Sequence, residues 1–329
     1  MDRSGLFLSC VIPAYNEAEN LKKFIPTLST FLYEQNISFE LIVIDDGSRD
    51  TTLAILKEML HFYSLNIIQL SRNFGKEAAL TAGLENANGN VVLLIDADFQ
   101  HPIELIPTML NLWREGYDMV YGIRDRQTES HFKRKLTHVF YWLLNKSASI
   151  DIPMHAGDFR LMDSKVVQAL CDLPERTRYM KGLYAWVGFK SIGVHFAETE
   201  RQHGRSSFNW QTLMGLAVSG LTSFSDLPLR LCVIIGALIS LVAISYGFWI
   251  IADVLLTGVN VPGWATLAAG IALLGGIQLL FIGIVGEYVS RIYNEVKARP
   301  KYIIANHYIA NKRILIKSPE HEKVSVEHT

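Results

Sequence analysis

Four carboxylates in two short clusters are the first residues here that could do chemistry. Asp96 and Asp98 flank Ala97 directly after the apolar run 91–95 (VVLLI), and Asp45 and Asp46 follow the run 41–44 (LIVI). Residues two apart at the tip of a strand point to the same side. Like charges held that close are costly unless a cation joins them. Hard carboxylate oxygens suit Mg²⁺ or Mn²⁺, and such ions complete their shells with phosphates. A lone DxD is a common pattern, and its plainer reading is a pair that caps a loop. Its place at the end of a buried strand, on the same edge as Asp45 and Asp46, favours a metal–diphosphate site. Other chemistries lack their residues. There is no GxGxxG after a strand, no GxxxxGK[ST], no GxSxG and no HExxH. Cys10, Cys171 and Cys232 are far apart and form no CxxC pair, which fits a reducing compartment.

The elements that must hold these carboxylates alternate. Runs 6–12 (LFLSCVI), 41–44, 66–70 (NIIQL) and 91–95 are short, continuous and mostly apolar, as strands covered on both faces should be. Helical patterns fill the gaps at 20–34, 51–63 and 76–87. This β-α-β-α series predicts an α/β fold with a mostly parallel sheet between helices. Ligands of such sheets bind outside the carboxyl ends of the strands, where the polar clusters fall.

The later half reads differently. Half of the 329 residues are hydrophobic and only 19% are charged. Residues 231–252 and 254–286 carry no charge at all. About 20 apolar residues span a bilayer, so these stretches predict two transmembrane helices, about 229–256 and 264–289, joined by the turn 257–263 (TGVNVPG). Arg230 precedes the pair, and Arg291, Lys297, Arg299 and Lys301 follow it. The positive-inside rule then puts both termini in the cytoplasm. Segment 132–144 (FKRKLTHVFYWLL), within a helix of about 130–148, and the uncharged 209–224, within 209–227, read as helices lying on the inner leaflet. The expected organisation is a cytoplasmic catalytic domain over 1–208, an interfacial helix over 209–227, the hairpin over 228–290 and a basic tail over 291–329. Over 290–317 seven basic residues face one acid, which favours an anionic leaflet. The overall charge of −1 excludes a global field for nucleic acid.

Three ordered motifs resemble glycosyltransferase family two with the GT-A fold: Val11-Ile12-Pro13-Ala14-Tyr15-Asn16-Glu17, then Val43 to Asp50 (VIDDGSRD), then Asp96-Ala97-Asp98-Phe99-Gln100-His101-Pro102. Ser71 to Glu77 (SRNFGKE), Gly157 to Met162 (GDFRLM) and the hairpin with Gly286-Glu287-Tyr288 narrow the resemblance to the polyprenyl-phosphate branch. That branch holds the bactoprenol glucosyltransferases and dolichol-phosphate mannose synthases, and the likeness covers about residues 6–304. It implies that Pro13, Tyr15 and Glu17 line a uridine pocket, with Asp46 on the base or ribose. Arg72 and Lys76 meet the nucleotide sugar. Asp96 takes the ribose side and Asp98 the metal, with Gln100 adding a ligand or sugar contact. Asp158 holds the family's catalytic acidic position, and Arg160 beside it is a candidate phosphate binder. A family pattern Arg-x-x-Gly-x-Ser-Lys stands here as Arg201 to Ser207 (RQHGRSS). Arg201 and Ser206 match, the lysine is replaced by Ser207, and Arg205 is the nearby cation that can take the acceptor phosphate.

The resemblance implies a hexose, glucose by analogy, moved with inversion from a UDP-sugar to undecaprenyl or another polyprenyl phosphate. It further implies Mg²⁺ or Mn²⁺, a bacterial inner membrane, a homo-oligomer of the tetrameric kind, and a supply of lipid-linked sugar to O-antigen, lipopolysaccharide or other envelope glycan. Whether Asp158 positions the acceptor or carries a residual proton stays open at this level. A processive polysaccharide synthase would need more spans and a QxxRW motif, which are absent. A membrane scaffold or lipid flippase component that kept the fold would need neither Asp98 nor a metal.

Overall fold

The computed structural model describes residues 5–125, 153, 156–176, 178–197, 227–257 and 263–310. The expected interfacial helix of about 130–148, positions 209–226 of the second, positions 258–262 of the connecting turn, and Arg201, Arg205 and Ser206 lie outside the described residues. The chain begins β1 (Phe7–Ala14), α1 (Ala18–Glu34), β2 (Ser38–Asp45), α2 (Thr52–Met59), β3 (Leu65–Leu70), α3 (Lys76–Glu85) and β4 (Val91–Leu94). It continues through α4 (Ile106–Arg114), β5 (Met119–Asp125), β6 (Ala156–Asp163), α5 (Ser164–Asp172), α6 (Met180–Trp186) and β7 (Ser191–Ala197). Two long helices, α7 (Leu227–Thr257) and α8 (Trp264–Val296), precede a last strand, β8 (Ile304–Ile309).

The eight strands form one sheet in the order β7-β5-β6-β4-β1-β2-β3-β8. β4, β1, β2 and β3 run parallel; β6 and β8 run against their neighbours. Alternation along each central strand feeds two cores. Cys10, Ile12, Leu41 and Val43 join the buried set that also holds Phe24 and Leu28 of α1 and Trp113 of α4. Val11, Ile42 and Ile44 join the opposite set, with Leu80 of α3, Val166 of α5 and Leu183 of α6. Both faces being covered, β4 is buried at all four positions, which is why these strands read as unbroken apolar runs. α1 shows the helical counterpart: Leu21, Phe24, Ile25, Leu28 and Leu32 are buried at three- and four-residue spacing.

The reversal of β6 decides where the chemistry collects. Its register pairs Leu94 with Arg160 and Val91 with Asp163. An antiparallel strand brings its first residues to the edge where its parallel neighbours end. Asp158 therefore arrives beside the Asp96–Asp98 tip from the far side of the sequence.

α7 and α8 hold candidate spans Leu231–Ile250 and Leu273–Val296, of mean hydropathy 2.4 and 1.6. Their apolar side chains face outward, with Val233 at 70% and Leu279 at 71% exposure. Exposed apolar surface on this scale marks a membrane interaction. Within the expected basic tail over 291–329, residues 304–309 form β8, which returns to the catalytic sheet and pairs with β3. The sequence hid this because IANHYI carries only a weak alternation.

Candidate active site at the carboxyl edge of the sheet

On the β1–β2 side of the edge, polar side chains lace two loops together. Asn16 donates its backbone N–H to Ser48 Oγ at 3.0 Å, and its Oδ1 accepts the Arg49 N–H at 2.8 Å. Asp45 Oδ1 accepts the Ser48 N–H at 3.0 Å, and Thr52 Oγ1 accepts that of Glu17 at 3.0 Å. Glu17 also accepts from Asn20 Nδ2. Pro13 is half-buried and Tyr15 is 40% exposed, so the ring faces the open edge.

Asp46, expected on a base or ribose, meets backbone groups of the next loop. Its two oxygens accept the backbone N–H groups of Phe74 and Gly75 at 2.7 and 2.9 Å. The side chain is buried, and desolvation pushes its pKa up while those N–H groups pull it down. Asp46 thus anchors the loop that delivers Lys76. Gly47 must be glycine for the same contact. It sits at φ +66°, and a Cβ there would lie 2.5 Å from the carbonyl carbon of Arg72. Arg72 itself is exposed, with its guanidinium 4.1 Å from the Phe74 ring centre.

On the β4–β6 side the groups are ionic. Lys76 opens α3 and donates to Asp96 Oδ2 at 2.8 Å, with Oδ1 also at 2.8 Å. The same ammonium lies 3.1 Å from Asp158 Oδ2. Desolvation works against the charge of Lys76, but Asp96 and Asp158 outweigh it and hold its pKa above the usual lysine range. Burial likewise pushes Asp158 up, yet Lys76, then Lys181 and Arg160, hold it below the usual carboxylate range. That direction favours the ionised carboxylate, paired with Lys76.

Three neighbours of Asp158 escaped the sequence reading. Glu77 follows Lys76 directly; burial, then the charge of Asp158, pushes its pKa up to about 8, and its Oε2 is buried without a hydrogen bond. Lys181 on α6 has its pKa lowered by burial against the pull of Asp158. Tyr184, one helical turn on, has a buried hydroxyl with no hydrogen bond. A cation inside the apolar run YMKGLYAW was the only sequence signal for this helix.

Arg160 and Gln100 are both buried beside the site. Arg160 is 3% exposed and lies against the rings of Tyr121 and Tyr184, at 5.0 and 4.2 Å. It donates to Gly157 O at 3.1 Å and acts on Asp158 through its charge. Gln100 is buried, and its Oε1 accepts from Arg124 at 3.4 Å. Arg124 also reaches His101 Nε2 at 3.0 Å, which must accept because arginine only donates. His101 stacks on Phe159 at 4.9 Å. Asp98 receives the Gln100 N–H at 3.1 Å and stays partly exposed at the strand tip.

An acidic strand-end pair, a lysine bridging it to a carboxylate on a reversed strand, and a mostly parallel sheet define a GT-A type glycosyltransferase domain. Residues 9–171 match the model of Glycosyl transferase family 2, residues 227–292 match that of the GtrB C-terminal hairpin, and the chain belongs to family 2. It is 46% identical to an uncharacterized glycosyltransferase of Synechocystis sp., over 91% of this chain and 95% of that one. It is 43% identical to the SfII prophage-derived bactoprenol glucosyl transferase of Shigella flexneri, over 92% and 99%. The fold is shared with glucosyl-3-phosphoglycerate synthase of Mycobacterium tuberculosis, solved with Mn²⁺, uridine diphosphate and phosphoglyceric acid, at TM-score 0.51 and 18% identity over 67% of this chain and 78% of that one.

Proposed function

We propose that this protein transfers glucose from UDP-glucose to a polyprenyl phosphate, undecaprenyl phosphate in a bacterial inner membrane, with inversion at the anomeric carbon. The observation that carries the reading is Lys76, held between Asp96 and Asp158 at the carboxyl edge of the sheet. The hairpin and the bactoprenol relatives supply the choice of a lipid acceptor.

The acceptor phosphate has a second pKa near about 6, by analogy with phosphorylated side chains. Its oxygen is already anionic at neutral pH, so attack on the anomeric carbon needs no strong base. The bond formed is phosphate oxygen to sugar carbon; the bond broken is that carbon to the UDP oxygen. The difficulty is electrostatic, since an anion approaches an anionic donor. Lys76 places a positive charge at this point, and its two carboxylates fix it there. Asp158, ionised and paired, orients Lys76. Lys181 adds a second cation on the α6 side, and Arg201 and Arg205 are proposed to meet the acceptor phosphate.

A divalent ion fits the donor chemistry at the tip. Asp98 offers hard oxygen at a partly exposed position, and Asp96 stands two residues away with its oxygens turned to Lys76. Mg²⁺ and Mn²⁺ sites of this kind use one or two carboxylates plus substrate phosphates, so no cage of protein ligands is needed. Bound there by Asp98, the ion would offset charge on the departing diphosphate. Both termini and the catalytic edge are assigned to the cytoplasm, with 257–263 on the far side.

The test is transfer of labelled sugar to polyprenyl phosphate from UDP-glucose, UDP-galactose, UDP-GlcNAc and GDP-mannose, each with and without EDTA. UDP-glucose should lead and EDTA should stop it. EDTA-insensitive transfer would remove the metal, and no transfer from any donor would overturn the reading. For the topology, a cysteine placed at Asn260 should react with an impermeant thiol reagent from outside.

A further inference from the structure

α3 is a ten-residue rod with Lys76 at one end and Glu85 at the other, ends roughly 15 Å apart at about 1.5 Å per residue. The stretch that leaves α8 meets this unit at both ends. In front, Ile303 O accepts the N–H of Ser71, the residue before Arg72, at 2.9 Å. Behind, the Glu85 carboxylate accepts the Tyr302 hydroxyl and lies 3.6 Å from Lys301 Nζ. Lys301 is only 17% exposed in its side chain, and the Tyr302 ring packs on the core set beneath α3. This is a seated contact, not a loose surface pair.

The same stretch holds the approach to α6. Lys301 Nζ reaches Leu173 O at 3.4 Å. The Arg176 N–H meets both oxygens of Glu295, in the last turn of α8, at 3.1 Å each, and its guanidinium donates to Arg299 O. Arg178, 8% exposed, ties the connector internally by donating to Leu170 O and Leu173 O at 3.0 and 2.9 Å. The chain emerging from the hairpin thus fastens α3 at the end opposite Lys76 and the connector that leads into the Lys181 end of α6.

We propose that Glu85, Lys301 and Tyr302 form a latch that sets the position of the Lys76 end of α3 relative to the membrane hairpin, making them positioning residues for transfer. The acceptor's phosphate is confined to one depth in the bilayer, so a catalytic charge must be fixed to the membrane anchor as well as to its own sheet. A misplacement of about 1 Å costs up to ~100-fold in rate. The kinetic consequence rests on the function proposed above; the mechanical one does not.

The test uses the full chain in nanodiscs with Glu85→Ala, Lys301→Ala, the double variant and Lys301→Arg. Each alanine variant should lower kcat about tenfold, with a smaller rise in KM for the sugar nucleotide, because Arg72 and Lys76 stay on the loop while the charge that acts in transfer is displaced. The double variant should be no worse than either single, as two ends of one contact require, and Lys301→Arg should recover most of kcat. Amide exchange at 71–76 should quicken in the alanine variants while β3 and β8 amides hold. Unchanged kcat and exchange would overturn the latch. So would additive losses with loosening across the β3–β8 pairing, the result for a segment that only seals the sheet. If wild type transfers no sugar, the function reading fails, and exchange at 71–76 still decides the latch.

Discussion

The two halves of the catalytic edge are built on opposite plans. On the β1–β2 side, Asn16, Asp45, Asp46, Ser48 and Thr52 meet backbone N–H groups, so their polarity holds loops in place. On the β4–β6 side, Lys76, Glu77, Asp96, Asp158 and Lys181 act chiefly on one another, and most of their proton affinities are displaced. A carboxylate given to backbone donors stabilises a shape. A carboxylate held against a cation at the rim of the site stores an electrostatic field ready for a substrate. The same residue type, aspartate, does both jobs a few residues apart, and only its partners tell which.

This contrast can be broken in graded steps. The largest effect is expected at the open tip, where Asp98→Asn should lower transfer by about 1,000-fold, the loss of several kcal/mol of charge stabilisation. The fold should survive, shown by an unchanged melting temperature. Next, Asp158→Asn or Lys76→Ala should cost about 100- to 1,000-fold in kcat, as for removing one preorganised charge, measured by single-turnover transfer. On the lacing side the order inverts. Asp46→Ala leaves two half-buried N–H groups without their acceptor, at up to about 1–3 kcal/mol each, so the thermal midpoint should fall by several degrees, with activity following the loss of fold. If Asp46→Ala left stability intact and abolished only donor binding, Asp46 would belong to the nucleotide pocket after all.

The smallest effect concerns Glu77 and pH. Its folded pKa of about 8 lies above the ordinary glutamate range. The folded state therefore binds more protons than the unfolded chain in between, and stability must fall as pH rises through that window. Glu77→Gln should flatten this decline, visible as a melting temperature that changes less between about pH 5 and pH 8 than that of wild type. An equal slope in the two proteins would place Glu77 in an ordinary solvated setting.

Legibility followed the physics of each strand. β1 to β4 are covered on both faces and show as apolar runs, so Asp46, Asp96 and Asp98 at their ends could be read directly. β6 was opaque as a strand because Asp158, Arg160 and Asp163 interrupt it, although Arg160 and Asp163 are buried. Its reversal, which brings Asp158 to Lys76, is a property of pairing and leaves no mark in spacing. The loop contact of Asp46 was hidden for a related reason: sequence shows a carboxylate at an edge, but not that Phe74 and Gly75 return to meet it. The apolar helices were plain from length and composition alone, whereas β8, behind them, was not.

That last strand also sets an order of events during synthesis. β8 pairs with β3 across a gap as wide as the 241 positions between Asn66 and His307. While the ribosome makes the intervening chain, β3 is the open margin of a nascent sheet, and open margins invite pairing with other chains. It can be closed only after both apolar helices have been made. The enzyme thus finishes its catalytic sheet last, once the anchor is already available to the bilayer, so maturation of the soluble part is timed by the membrane part.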